Sequence, residues 1–203
     1  METRLFEESQ IPEIVKLLEN GEVVGIPTDT VYGIACVYHL LDAIQKMKVA
    51  KGRPETKPFP MMVANKEQIM KVAYVDERTS KIIDCFMPGA LTIIVPKKEC
   101  IDDSVTNGAK TIAIRMADDP LMMEIIHMVN EPLLVTSANL SGEPSMCSYE
   151  DVYDKLNGRI AGLIKRDATG TNASTIIDLT GEEIKVLREG PIALDKIEMK
   201  LKR

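Results

Sequence analysis

The stretch Pro132-Leu133-Leu134-Val135-Thr136-Ser137-Ala138-Asn139-Leu140-Ser141-Gly142 changes character in its middle. Its first five residues are apolar or β-branched and predict a buried strand, whereas the next six form a turn of small hydroxyl and amide side chains. A second stretch, Lys51-Gly52-Arg53-Pro54, is a cationic turn that also follows an apolar segment. Because loops that leave packed elements carry most functional groups, we expect both turns to lie at a functional site.

Outward from these turns, the chain alternates between helical and strand patterns. Apolar spacings of three and four residues predict helices that begin near Ile11 (capped by Ser9), Leu41, Asp76, Asp119-Pro120 and Ser148. Short apolar runs predict strands at 23–27, 59–64, 91–95, 111–115, 132–136, 162–165, 174–179 and 184–188. This alternation predicts an α/β or α+β sheet protein.

The composition sets limits on size, partners and location. A chain of 203 residues with 45% hydrophobic content buries a sizeable core, and we expect one domain over 1–203. A net charge of -6 argues against a surface devoted to nucleic acid. No apolar run approaches the roughly 20 residues that span a bilayer, and 1–10 is acidic rather than a basic leader. We therefore expect a cytoplasmic protein that does not contact the membrane.

The cysteines and histidines do not predict a metal centre. The four cysteines are widely spaced, with no C-x-x-C pair, and we expect core thiols in a reducing compartment: Cys36, Cys85, Cys100 and Cys147. His39 and His127 are the only histidines, so neither a three-ligand metal site nor a Ser-His-Asp triad is expected.

Small polar loops and one basic segment indicate an anion-binding cleft. Between Lys46 and Lys57 there are five basic residues and one acid. The loops at 27–33, 88–92, 137–142 and 171–175 are rich in hydroxyl residues or glycine, groups that bind phosphate and carboxylate oxygens. Each loop alone is also explained by turn chemistry. Together with the cationic turn they suit a nucleoside triphosphate, although neither common nucleotide motif, G-x-x-x-x-G-K-[ST] or G-x-G-x-x-G, occurs.

Seven blocks in this order resemble the YrdC-like threonylcarbamoyl-AMP synthase family. They are Pro27-Thr28-Asp29-Thr30-Val31-Tyr32-Gly33, Lys51-Gly52-Arg53-Pro54, Phe86-Met87-Pro88-Gly89-Ala90-Leu91-Thr92, Thr111-Ile112-Ala113-Ile114-Arg115, the turn that begins at Ser137, Ser174-Thr175-Ile176-Ile177-Asp178 and Leu187-Arg188-Glu189-Gly190. The resemblance implies a twisted mixed or antiparallel sheet surrounded by helices, with a concave basic cavity. Because the chain ends soon after the last block, we expect the short, single-domain type.

The resemblance also implies a reaction. Members of the family are nucleotidyltransferases that join L-threonine, bicarbonate or CO2 and ATP into threonylcarbamoyl-adenylate and pyrophosphate, for the threonylcarbamoyladenosine modification of tRNA. Mg2+ would arrive with ATP, and downstream threonylcarbamoyl-transferase proteins would be partners.

The resemblance assigns site residues by position. The expected catalytic residues are Lys51, Arg53, Ser137 and Asn139. The expected ATP contacts are Arg53, Lys57, Thr111, Ser137, Ser145 and Arg188. The expected L-threonine contacts are Thr30, Met62, Arg115, Val135 and Ser174. Met62 departs from the family pattern, because many members carry histidine there.

Two other interpretations of the sequence stay open at this stage. One is an RNA-binding module of the same fold, for double-stranded RNA or tRNA, without synthase activity. The other is a paralogue that acts on a different acyl or carbamoyl donor, although both signature turns are intact.

Overall fold

The structure is a computed structural model that describes residues 2–52 and 58–201. Arg53 and Lys57, two of the expected nucleotide contacts, lie outside the described residues. Within the described ranges, ten strands form one mixed sheet in the order β1-β8-β2-β3-β7-β4-β6-β5-β9-β10, and seven α-helices surround it. This architecture confirms the predicted fold class.

The strands are β1 Arg4–Phe6, β2 Val24–Ile26, β3 Gly33–Val37, β4 Met61–Met62, β5 Leu91–Pro96, β6 Thr111–Arg115, β7 Leu133–Ser137, β8 Gly162–Ile164, β9 Thr175–Asp178 and β10 Lys185–Arg188. The helices are α1 Ile11–Glu19, α2 Leu41–Ala50, α3 Lys66–Val72, α4 Glu77–Phe86, α5 Pro120–Val129, α6 Tyr149–Leu156 and α7 Leu194–Leu201. Parallel pairs (β4 with β6, β5 with β9) and antiparallel pairs (β3 with β7, β5 with β6) share the sheet.

Helix ends follow the predicted capping chemistry in most cases. Asp119, which precedes Pro120, caps α5 by accepting a hydrogen bond from the amide of Met122. At the other end of α5, Asn130 adopts the left-handed conformation. Ser148 caps α6 by accepting a hydrogen bond from the amide of Glu150. The expected cap at Ser9 is wrong, because a 3-10 turn over Glu8–Gln10 precedes α1 and Gln10 occupies the N-cap position.

Helices cover one face of the sheet more completely than the other. α2, α3 and α4 bury Ile44, Ile69 and Ile82 against one face. On the opposite face, α1 and α5 pack against residues of β2, β3 and the start of β7. Successive side chains of a strand alternate between faces. On the second face, side chains of β7, β4, β6, β5 and β9 line a cavity. This open half of the sheet holds the cavity described below.

The cysteines and helix lengths test two further expectations. Cys36 is buried, and burial raises the pKa of its thiol to about 12. The prediction of core thiols is wrong for Cys85 and Cys100, which are exposed, and Cys147 is partly buried. In the part of the chain that the structure describes, no helix is long and apolar enough to cross a membrane.

Candidate active site

A cavity of about 770 Å3 lies on the open half of the sheet. Its floor is formed by side chains that share one face of five neighbouring strands. Its rim is formed by loops, by the end of α2 and by the end of β10. The floor consists of Met62, Thr92, Ile94, Ala113, Arg115, Val135, Ser137 and Ile176, and the rim includes Thr28, Thr30, Lys51, Ser145, Ser174 and Arg188.

Lys51 lies at the C-terminal end of α2 and its ammonium group is buried. Only 3% of the residue is exposed. Its Nζ donates to the backbone oxygen of Ser137 at 2.8 Å and to Oδ1 of Asn139 at 2.9 Å. The two turns that are distant in sequence are therefore in contact, and Lys51 is a fixed buried cation rather than an exposed loop residue.

The amide of Asn139 is held in one orientation. Its Oδ1 accepts from Lys51 and from Oγ of Ser137, at 2.5 Å, while its Nδ2 donates to the backbone oxygens of Leu140 and Glu143. Because both ends of the amide are bonded, Asn139 fixes the positions of the Lys51 ammonium and the Ser137 hydroxyl. The result is a rigid cluster of one cation and one hydroxyl at the cavity wall.

Arg115, at the end of β6, is a second buried cation. Its Nε donates to the backbone oxygen of Gly89 at 3.0 Å, one terminal nitrogen to Oγ1 of Thr30 at 2.7 Å, and the other to Oδ1 of Asp29 at 2.6 Å. Burial lowers the pKa of the guanidinium, and the Asp29 charge opposes this shift. A guanidinium has five N–H donors, and the described residues accept from three of them, so we expect the other two to be available to a ligand.

Ser174 connects Arg188 to the floor of the cavity. Its Oγ lies 2.8 Å from Oγ1 of buried Thr92 and accepts from a terminal nitrogen of Arg188 at 3.1 Å. Its backbone oxygen accepts from Nε of Arg188 at 2.9 Å. Desolvation lowers the pKa of the Arg188 guanidinium, although the residue as a whole is exposed at the rim.

The loop between β2 and β3 is held from two sides. Within the loop, Oγ1 of Thr28 accepts from the amide of Thr30 at 3.1 Å and donates to the backbone oxygen of Val31 at 2.7 Å. Outside it, Gly170 packs so closely that an added Cβ would lie 2.5 Å from the backbone oxygen of Asp29 and 2.6 Å from Cα of Thr30. The loop that carries Thr30 therefore depends on a glycine 140 positions later.

We expect Gly170→Ala to destabilise the protein by about 1 to 3 kcal/mol, because its Cβ would meet backbone that cannot move without shifting Asp29 and Thr30. Chemical denaturation measures this change. Gly181→Ala is the matched control, since its nearest heavy atom would be 4.0 Å away. Equal stability of the two variants would contradict the close packing of Gly170.

The structure brings most of the expected site residues into this cavity. Those that line it are Thr30, Lys51, Met62, Arg115, Val135, Ser137, Asn139, Ser145, Ser174 and Arg188. Thr111 does not line it. It lies at the start of β6, opposite Pro96. Its side chain is on the same face as that of Ala113 but at the other end of the strand from Arg115.

Sequence reasoning missed two polar groups and the apolar floor. The sequence pattern assigns Asp29 and Thr92 only to polar loops, although each bonds an expected site residue. Ile94, Ala113 and Ile176 were read only as strand residues. These residues alternate with buried neighbours along their strands, which indicates that they share a face of the sheet. The alternation does not indicate which face of the sheet the helices leave uncovered.

The described residues contain no group of three or more His, Cys, Asp or Glu side chains placed to hold a metal ion. The polar groups of the cavity are instead cations, hydroxyls and amides. Such a set binds anions, by charge and by donated hydrogen bonds.

The fold and the cavity define an α/β protein with a cavity of cationic and hydroxyl side chains on an open sheet face. The sequence model of the Sua5/YciO/YrdC family, described as Telomere recombination, matches residues 16–190. The chain belongs to this family, which confirms the resemblance found in the sequence.

Relatives and solved structures agree with this assignment. Threonylcarbamoyl-AMP synthase of Bacillus subtilis is 38% identical over 192 residues, which are 93% of this chain and 56% of the relative. The protein of the same name from Vibrio campbellii is 31% identical over 88% of this chain and 97% of its own. The crystal structure of Pyrococcus abyssi Sua5 complexed with L-threonine matches with a TM-score of 0.91 at 31% identity, over 98% of this chain and 61% of that chain. The chain thus spans just over half the length of the Bacillus subtilis relative.

Proposed function

We propose that this chain is a threonylcarbamoyl-AMP synthase, which joins L-threonine, bicarbonate or CO2 and ATP into threonylcarbamoyl-adenylate and pyrophosphate. The observation that carries the proposal is the placement of two different anion sites in one cavity. One is the Arg115 guanidinium with two available donors, and the other is the buried Lys51, Ser137 and Asn139 cluster. The names of the relatives support the same activity.

The threonine side of the cavity is proposed around Arg115. Its two remaining donors match the two oxygens of a carboxylate, and Thr30 and Ser174 supply hydroxyls nearby. Met62 and Val135 are buried apolar residues that line the same cavity and suit the threonine methyl group. Met62 offers no strong hydrogen bond to the threonine hydroxyl, since a thioether is a weak acceptor.

The ATP side is proposed around Lys51 and Arg188. Lys51 supplies a buried positive charge for phosphate oxygens, and Ser137 and Ser145 supply hydroxyls. Arg53 and Lys57 are proposed to add charge to this side. A contact from Thr111 requires the nucleotide to extend along β6 past Ala113. Mg2+ is proposed to enter as part of the nucleotide substrate, held by phosphate oxygens and water, as is usual for this ion.

The proposed chemistry needs alignment and charge stabilisation rather than a covalent enzyme nucleophile. The threonine amine attacks the carbon of CO2 and loses a proton, or attacks bicarbonate with release of water, and either route gives an N-carboxylate. An oxygen of that group attacks the α-phosphorus of ATP, and the bond to the leaving pyrophosphate breaks. Holding two anionic reactants in line and stabilising the phosphate oxygens are the contributions that we assign to Arg115 and Lys51.

Later steps and location are proposed from the same family. The threonylcarbamoyl group would pass to an adenosine of tRNA through separate transferase proteins, in the cytoplasm. Direct binding of tRNA or double-stranded RNA, the alternative function, is not favoured, because two cations of the described cavity, Lys51 and Arg115, are buried rather than spread over a surface.

Pyrophosphate release tests the function directly. We expect release to require ATP, L-threonine and bicarbonate together, because the attacking oxygen exists only after the amine has been carboxylated. A coupled phosphate assay with each substrate omitted in turn measures this, and mass spectrometry detects the adenylate. Equally fast release without threonine would overturn the proposed function.

A further inference from the structure

We propose that Asp29 is a positioning residue that sets the orientation of the Arg115 guanidinium for the threonine carboxylate. This inference rests on the proposed function and names a role for a residue that does not itself line the cavity. Oδ1 of Asp29 lies 2.6 Å from a terminal nitrogen of Arg115, and the two side chains are 12% and 5% exposed. The ion pair is therefore short and largely removed from solvent.

Asp29 is a fixed anchor because its backbone cannot move freely. Thr28 and Thr30 on either side are buried and bonded to each other through their Oγ1 atoms, at 3.0 Å. The amide of Thr169 donates to the backbone oxygen of Thr28 at 3.1 Å, and Gly170 packs on the backbone of Asp29. A carboxylate on such a loop holds a guanidinium in one orientation.

Asp29 is also the one charged group among the three residues that bond Arg115. The other two partners, the Gly89 carbonyl and the Thr30 hydroxyl, are neutral. The positive charge of Arg188 acts on Arg115 and lowers its pKa, whereas Asp29 raises it. Without Asp29, Arg115 would be a buried cation that is repelled by Arg188 and held only by neutral groups.

Asp29 has two opposing effects on threonine. Its negative charge repels the threonine carboxylate, but its hydrogen bond keeps the Arg115 donors aligned with that carboxylate. Charge-assisted bonds to a planar fork depend strongly on geometry, so we expect alignment to dominate. The sign of the change in KM decides between the two effects.

The test is Asp29→Asn, which keeps an oxygen but removes the charge. We expect KM for L-threonine in pyrophosphate release to rise by about tenfold or more, with KM for ATP changed less than about twofold. Asp119→Asn is the matched control, because Asp119 forms a comparable buried ion pair with Arg166 outside the cavity. That control should leave both KM values unchanged.

Other outcomes overturn the inference. An unchanged or lower KM for threonine shows that Asp29 does not align Arg115, and equal increases for both substrates show a purely structural role. If Asp29→Asn does not fold, Asp29→Glu, which keeps the charge and moves it by one methylene, provides the same comparison of KM values. Pyrophosphate release by the unmodified protein that does not require threonine would instead reject the proposed function. The two failures are therefore distinguishable.

Discussion

Lys51→Ala is expected to reduce adenylate formation by about 100-fold or more and also to destabilise the protein. The Nζ atom of Lys51 is buried between the Ser137 backbone oxygen and the Asn139 side chain. Loss of a preorganised charge at a developing phosphate charge costs catalysis of this order. Loss of two charge-assisted hydrogen bonds in a buried place should lower the free energy of unfolding by about 2 to 4 kcal/mol.

Lys46→Ala is the control for this prediction. Lys46 belongs to the same helix, but its side chain is 45% exposed and pairs with Glu22 at the surface. An exposed ion pair contributes about 1 kcal/mol at most, so this variant should keep both stability and turnover. Urea denaturation and the pyrophosphate assay measure the two properties. Full turnover by Lys51→Ala would show that the buried cation has no part in the reaction.

The sequence predicted five of the seven helices in the described chain, because helix signals are local, but it did not predict α3 and α7. The Asp119-Pro120 cap and the apolar spacing of α1 need only neighbouring residues. β3 was missed although all five of its residues are buried, because a central strand shows no alternation of apolar and polar residues. β4 was predicted over 59–64 but pairs with its neighbours only at Met61 and Met62, before Asn65 caps α3.

Most of the polar residues that line the cavity could be named from the sequence, but their contacts could not, and their roles stay predictions. The polar loops and the family resemblance indicated Lys51, Arg115 and Ser174. Buried Lys51 donates to the backbone oxygen of Ser137, 86 positions away. Every residue has a backbone oxygen, so the sequence does not indicate which one accepts this bond. The ion pair between Asp29 and Arg115 joins residues equally far apart, so only the folded sheet reveals it.

Arg115→Ala is expected to raise KM for L-threonine far more than KM for ATP, by about 100-fold against a few-fold. The variant loses the two guanidinium donors that we assign to the threonine carboxylate, and charge-assisted bonds of this kind contribute a few kcal/mol together. It also leaves the Asp29 carboxylate buried without its partner, which should lower the free energy of unfolding by about 3 to 5 kcal/mol.

Two further variants separate binding from stability. Arg166→Ala removes the partner of buried Asp119 outside the cavity, so it should destabilise the protein without changing the ratio of the two KM values. Arg115→Lys keeps a positive charge but not the planar fork, so it should recover part of the stability while threonine KM stays high. Equal losses for threonine and ATP in Arg115→Ala would mean that Arg115 serves the fold and not the carboxylate.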